Sequence, residues 1–154
     1  GIREWMGHGP LGFPVVDFSV NLSDGSYHDV DSSEMAFKTA ARIAMTEGMP
    51  QCQPVLLEPI VAVEIHVPSE ATSRVNQIVT GHRGQLLGFD GREGWPGWDT
   101  VKAHMPESEM ASLIIELRSA TAGVGTFTFA LDHMSELTGR AAEQVVAGRK
   151  AEAA

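Results

Sequence analysis

The chain has 154 residues, 43% of them hydrophobic, with 20 acidic against 11 basic side chains and a net charge of −9. That size and composition fit one ordinary domain or two small ones and exclude long disorder. The acidity argues against a protein that wraps naked nucleic acid by neutralising phosphates, while leaving room for docking at a few shaped contacts. Cys52 is the only cysteine, so no internal disulfide is available and a reducing cytosol fits. No apolar run is long enough to span a bilayer, and no secretory signal opens the chain. The start, Gly1-Ile2-Arg3-Glu4-Trp5, lacks Met and reads as the interior of a longer protein.

Residues 1–6 read as the end of a helix closed by Gly7. The next six, Gly7-His8-Gly9-Pro10-Leu11-Gly12, match G-x-G-x-x-G. The dinucleotide fingerprint needs a strand before it and a helix after it, and here the order is reversed. A helix-to-strand loop is the better reading. Pro14 to Leu22 is strand-like and leads into Asp24-Gly25, a strong turn dipeptide. Asp31 stands three residues before Glu34, which predicts an Asp31 N-cap with a capping box. His28 then sits on an exposed projection between a strand and a helix. Asp24, His28, Asp29 and Asp31 are metal-type donors, but an exposed turn offers nothing to orient them, and no metal is expected.

Ser33 to Glu47 reads as a helix with Met35, Phe37, Ala40, Ala41, Ala44 and Met45 on its apolar face. Lys38 and Arg42 share its other side at i and i+4, as a solvated stripe or as contacts to a phosphate backbone. Gly48 and Pro50 stop the helix. A domain boundary falls in Pro54–Pro59, giving domains at 1–58 and 59–154.

The second domain is patterned throughout. Val61, Val63, Ile65 and Val67 alternate with Ala62, Glu64 and His66, a half-buried strand. A helix starting at Pro68-Ser69-Glu70 carries Ala71, Val75, Ile78 and Val79 to Gly81. Strands follow at Gln85–Asp90 and Trp98–His104 around a Gly/Trp loop. Pro106-Glu107 opens a helix with Met110, Leu113, Ile114 and Leu117 on one face. Thr126–His133 is a fourth strand with Phe127, Phe129 and Leu131 facing inward. The order β-α-β-β-α-β is the ferredoxin-like pattern. An Ala-rich helical tail begins near Gly139.

Chemistry-bearing motifs are sparse. There is no zinc spacing, no G-x-S-x-G and no P-loop, so no catalytic residue is assigned. Asp132-His133 reads as a structural hydrogen bond. Arg83, Gln85, Arg118 and Ser119 fall at element ends, where Arg beside backbone N–H groups suits phosphate contact. Trp95 and Trp98 flank a Pro-Gly turn, either folded onto the sheet or offered to a partner.

Three segments of the first domain and its border resemble translation elongation factor G: Gly9-Pro10-Leu11-Gly12-Phe13-Pro14-Val15-Val16-Asp17, the loop from Asp24 to Lys38, and Val55-Leu56-Leu57-Glu58-Pro59-Ile60. So do Leu117-Arg118-Ser119-x-Thr121-x-Gly123 and Phe129-x-Leu131-Asp132-His133. The resemblance is collinear over about residues 1–138. It implies an α+β architecture: the second half of a ribosomal-protein-like α/β fourth domain, then a whole ferredoxin-like fifth domain. It implies that Asp24, Gly25, Ser26, Tyr27, His28 and Asp29 form a tip that enters the ribosomal A site at the small-subunit decoding region. It implies that the fifth domain contacts the large subunit near the GTPase-associated centre; the residues' own chemistry offers Lys38, Arg42, Arg83, Gln85, Arg118 and Ser119 either as rRNA contacts or as ordinary surface groups. The partners are then the ribosome and tRNA–mRNA, in the cytoplasm, during GTP-dependent translocation. GTP and magnesium belong to a GTPase domain upstream, and this chain is expected to hold no cofactor and to be no enzyme itself.

Departures gather in the second domain. Val124 stands where the family has Arg, His82-Arg83-Gly84 replaces Arg-Arg-Gly, Ser112-Leu113 replaces Gly-Tyr, and the 91–98 loop is unlike the family's. They point to a paralogue that acts in recycling, stress response or ribosome protection as the alternative. A small-molecule enzyme on a ferredoxin-like scaffold, with Asp24, His28 and Asp31 as its site, is the remaining alternative.

Overall fold

A computed structural model describes residues 1–152. The chain forms two compact units, one of residues 1–56 together with the segment from Leu137 onward, the other of residues 57–136.

In the first unit, helix α1 (Ile2–Trp5) and helix α2 (Glu34–Gly48) pack through Trp5, whose indole N–H donates to the Thr46 hydroxyl at 3.0 Å. Trp5 and Met45 are its buried apolar side chains among the described residues. Helix α5 (Gly139–Glu152) belongs to this unit, whereas the expected partition gave the tail to the second domain. Arg149 of α5 donates to the Gly12 carbonyl at 3.2 Å and lies over the Phe13 ring at 5.5 Å. The 7–12 glycine segment is thus a loop, as its reversed context requires. It is tight at Gly9, where an added Cβ would fall 2.1 Å from a Val15 methyl.

One expected element is not formed. Pro14–Leu22 is irregular and enters no sheet, and Asp17 within it takes the left-handed region (φ 57°), which breaks an extended run. A strand exists only by pairing, and no described segment of this unit offers a partner edge. Val16, Val20 and Leu22 are consequently 58, 49 and 88% exposed, so the apolar alternation finds nothing to bury against.

Helix α2 starts as its local chemistry dictates, though at a different cap. Ser33 is extended (φ −151°) and its hydroxyl accepts from the Ala36 N–H at 3.1 Å. Asp31, the expected cap, lies two residues earlier inside a turn. Such a cap contributes about 0.5–2 kcal/mol. The helix runs out through a 3₁₀ turn, Met49–Cys52, that ends on Gln53 in the left-handed region (φ 54°).

The second unit is the ferredoxin-like arrangement. Strands β1 (Leu56–Pro68), β2 (Gln85–Gly91), β3 (Trp98–Pro106) and β4 (Thr126–Leu137) form one sheet in the order β2-β3-β1-β4. β1 and β3 pair antiparallel, with Ile60 opposite Pro106 and Pro68 opposite Trp98. β2 and β3 pair antiparallel as a hairpin with a bulge between Leu86 and Gly88. Helices α3 (Thr72–Gly81) and α4 (Met110–Ala120) cover one face. Val61, Val63, Ile65 and Val67 meet Val75, Ile78, Val79, Leu113 and Leu117 in a single core. Period-two burial on β1 and 3.6-period burial on the helices are satisfied together.

β4 departs from expectation. Phe127 packs against the core, but Phe129 and Leu131 are 48 and 66% exposed. β4 is an edge strand beside β1, and among its aromatic and leucine side chains only Phe127 packs against the described core.

Candidate functional site

The tip is built by the chain on either side of His28. The Asp24 carboxylate accepts the Gly25 N–H at 2.7 Å, but the expected turn does not form there: Gly25 stays out of the left-handed region and the backbone turns at residues 29–31 instead. The His28 carbonyl accepts N–H groups from Asp31 at 3.3 Å and Ser32 at 3.0 Å. The Ser32 hydroxyl in turn accepts the His28 N–H at 2.9 Å. One residue later Ser33 caps α2. His28 is therefore fixed at its backbone while its side chain stands exposed. Tyr27 and Val30 are 72 and 92% exposed beside it. The arrangement offers an imidazole, a phenol and the carboxylates of Asp24 and Asp29 to whatever meets the tip. No nucleophile stands against a base here, and the tip carboxylates and His28 do not converge on a common point among the described residues.

The flanking cations differ from each other. Lys38 is held by Glu34 at 2.7 Å and Glu4 at 3.9 Å. Arg42 is exposed on the next turn, and its carbonyl accepts the Thr46 hydroxyl at 2.8 Å.

In the second unit, Arg83 is committed internally. It sits in the left-handed region (φ 57°) just after α3. Its guanidinium makes a bidentate pair with Glu58 at 2.8 and 3.1 Å, and its Nε reaches Glu109 at 3.3 Å. Fork-to-fork pairs of this kind hold the guanidinium plane in one orientation. Gln85 is exposed at the start of β2, opposite His104. Arg118 and Ser119 are exposed in the last turn of α4. The loop after them is tight: Thr121 donates to the Leu117 carbonyl at 2.7 Å and accepts the Gly125 N–H at 2.9 Å. That loop presents Val124, 49% exposed.

His82 lies between two carboxylates, Glu109 at 2.9 Å and Glu116 at 3.0 Å. The Glu109 hydrogen bond raises its imidazole above the ordinary 6.5, against a burial cost, with Glu116 adding to the rise. Glu109 is lowered from 4.5, first by His82 and then by Arg83. A raised histidine stabilises the fold fully below about pH 6.5 and loses that contribution as pH rises through its folded value. A lowered glutamate contributes above about pH 4.5 and loses it as pH falls through its folded value. Stability of this unit is therefore expected to peak between those limits. Urea-unfolding midpoints followed from pH 5 upward will fall through the neutral range, and His82→Gln will flatten that fall. An equal fall in the variant would remove the assignment to His82.

The Trp loop folds on itself. Trp95 and Trp98 stand edge to face at 5.4 Å, and the Arg92 guanidinium lies 4.2 Å over the Trp95 ring. Trp98 is half-buried and Trp95 is 49% exposed, so one ring goes to the sheet and the other to solvent.

One cluster escaped the sequence. Asp132 pairs with His133 at 2.6 Å, as the dipeptide foretold, but also with His104 of β3 at 3.6 Å. The His133 hydrogen bond lowers the Asp132 carboxyl below its ordinary value. Only strand register brings position 104 near 132, and no local motif announces it.

Two family models match the chain. That described as elongation factor G, domain IV, matches residues 1–53, and that described as elongation factor G C-terminus matches residues 55–145. An elongation factor G-like protein of Synechocystis sp. is 63% identical over 137 residues, which cover 89% of this chain and 20% of that protein. A crystal structure from Thermus thermophilus superposes with a TM-score of 0.82 at 36% identity, over 97% of this chain and 22% of that one. The chain thus spans about a fifth of the length of these relatives. No described helix is long and apolar enough to cross a membrane. With both of its parts matched in order, the chain belongs to the elongation factor G family.

Proposed function

We propose that this chain is the ribosome-engaging C-terminal part of a translational GTPase and that it assists GTP-dependent tRNA–mRNA translocation in the cytoplasm. The observation that carries the reading is the fixed tip, His28 held by Ser32 and set directly on the Ser33 cap of α2. In this reading the tip enters the decoding region of the small subunit and resists backward slippage. The second unit meets the large subunit near the GTPase-associated centre. GTP and magnesium are handled by the remainder of the parent protein. A net charge of −9 supports docking by shape and few contacts, because a strongly basic surface would hold RNA indiscriminately. Lys38, Arg42, Gln85, Arg118 and Ser119 are the rRNA contacts, whereas Arg83 acts by holding Glu58 and Glu109 in place.

The second reading is a ribosome-binding paralogue that acts in recycling, stress response or ribosome protection. Val124, exposed where the family carries Arg, favours it. A translocation assay on the full-length parent separates the two. Under the first reading the unmutated parent turns over, and His28→Ala slows it roughly 5–30-fold, the value of one or two lost polar contacts. Unchanged rate and directionality would remove the role of His28. Ribosome binding without turnover would select the second reading.

A further inference from the structure

The sheet of the second unit has a second face, opposite that unit's helices α3 and α4. Alternation sends Val61, Val63, Ile65, Val101, Ala103 and Met105 into the core. The residues between them, Ala62, Glu64 and His66 on β1 and Thr100, Lys102 and His104 on β3, point the other way. Register sets them in three cross-strand rows: His66 with Thr100, Glu64 with Lys102, and Ala62 with His104. Two rows are satisfied within themselves. His66 Nδ1 lies 2.9 Å from the Thr100 hydroxyl, and Lys102 lies 3.7 Å from Glu64. The third row has only a methyl group on β1. Across that gap the β4 side chains Asp132 and His133 reach His104, although β3 and β4 are separated by the whole width of β1.

We propose that His104, Asp132 and His133 form a binding site for one divalent transition-metal ion of the zinc type. Their donor atoms lie within 4.8 Å of one another, the one such group among the described residues. Bonds of about 2.0–2.2 Å in tetrahedral geometry place donors about 3.4 Å apart. His104 Nε2 and Asp132 Oδ1 already stand 3.6 Å apart. His133 Nδ1 and Asp132 Oδ2, at 2.6 Å, share a proton. The ion takes that proton's place, the proton leaves to solvent, and water completes the coordination. Two imidazoles with one carboxylate select zinc, cobalt or nickel over magnesium and calcium, which require mostly oxygen donors. The bound ion clips edge strand β4 to β3 over β1. This holds whichever ribosomal role the parent performs.

The test uses the 154-residue chain stripped by a chelator and titrated with Co²⁺, then with Zn²⁺. Saturable uptake of about one ion per chain is expected, with the visible absorption of four- or five-coordinate cobalt, bleached by Zn²⁺ and untouched by excess Mg²⁺. His104→Ala and His133→Gln should each weaken binding by at least about tenfold. Their metal-free unfolding temperatures should stay near that of the parent chain, which separates lost ligation from lost fold. His66→Ala, on the same face in another row, should bind as the parent does. Absence of saturable uptake overturns the proposal. So does uptake that survives both ligand variants, or that His66→Ala abolishes equally.

Discussion

Leu113→Ala will destabilise the ferredoxin-like unit by about 2–5 kcal/mol, a loss large enough to shift its urea midpoint far from that of the parent. Leu113 is fully buried on α4, in the cluster formed with Val61, Val63, Ile65 and Leu117. Removing three carbons there loses transfer energy and leaves a cavity. The surroundings can close it only in part, because helix α4 is pinned at Met110 and Leu117 on either side. Leu113→Met keeps the volume and should cost less than about 1.5 kcal/mol. Fluorescence of Trp98 in β3 reports the transition of this unit. A midpoint unmoved by Leu113→Ala would mean that this helix face does not carry the core.

Gly84→Ala will cost about 3 kcal/mol, the upper end for overpacking. A Cβ there would meet a Val79 methyl at 2.5 Å and the Val79 carbonyl oxygen at 2.6 Å, with Met105 at 3.0 Å. The carbonyl is backbone and cannot swing aside. It also accepts the Gly84 N–H at 2.8 Å, so any shift that relieves the clash breaks that bond. The displacement would pull on Arg83 and thus on its pairs with Glu58 and Glu109. The expected readout is a lower unfolding temperature together with a weaker pH dependence, since Glu109 is shared with His82. Wild-type stability in Gly84→Ala would show that the turn has room that the close approach denies. Gly81, with open space at its Cβ position, is the control glycine and should tolerate Ala far better.

What the sequence made legible was whatever depends on near neighbours. The alternation of residues 61–67 and the i, i+3, i+4, i+7 spacing of 110–117 specified the sheet and helix faces, because each pattern buries apolar area only in its own geometry. The turn expected at Asp24-Gly25 was misplaced, because the bonds to the His28 carbonyl close the backbone turn at residues 29–31 instead. The cap was misplaced by two residues because Asp31 and Ser33 are both good caps, and the turn bonds at His28 decide between them. The strand expected at 14–22 failed for a different reason. Its alternation is real, but pairing is a property of two segments, no second one meets it among the described residues, and Asp17 breaks the run at φ 57°. Phe129 and Leu131 failed likewise, since burial on an edge strand depends on what packs over it and not on alternation alone. Arg83 with Glu58 and Glu109, and His104 with Asp132, are contacts across about 25–28 residues that no spacing rule encodes.

The tip bonds also have a mechanical meaning. Between the His28 imidazole and the first turn of α2, the backbone is tied at Ser32 and again at Ser33. Little torsional slack remains there. The 15-residue helix is about 22 Å long, and these bonds set His28 beyond its N-terminal end. Under the proposed function, reach more than stickiness is what this segment supplies.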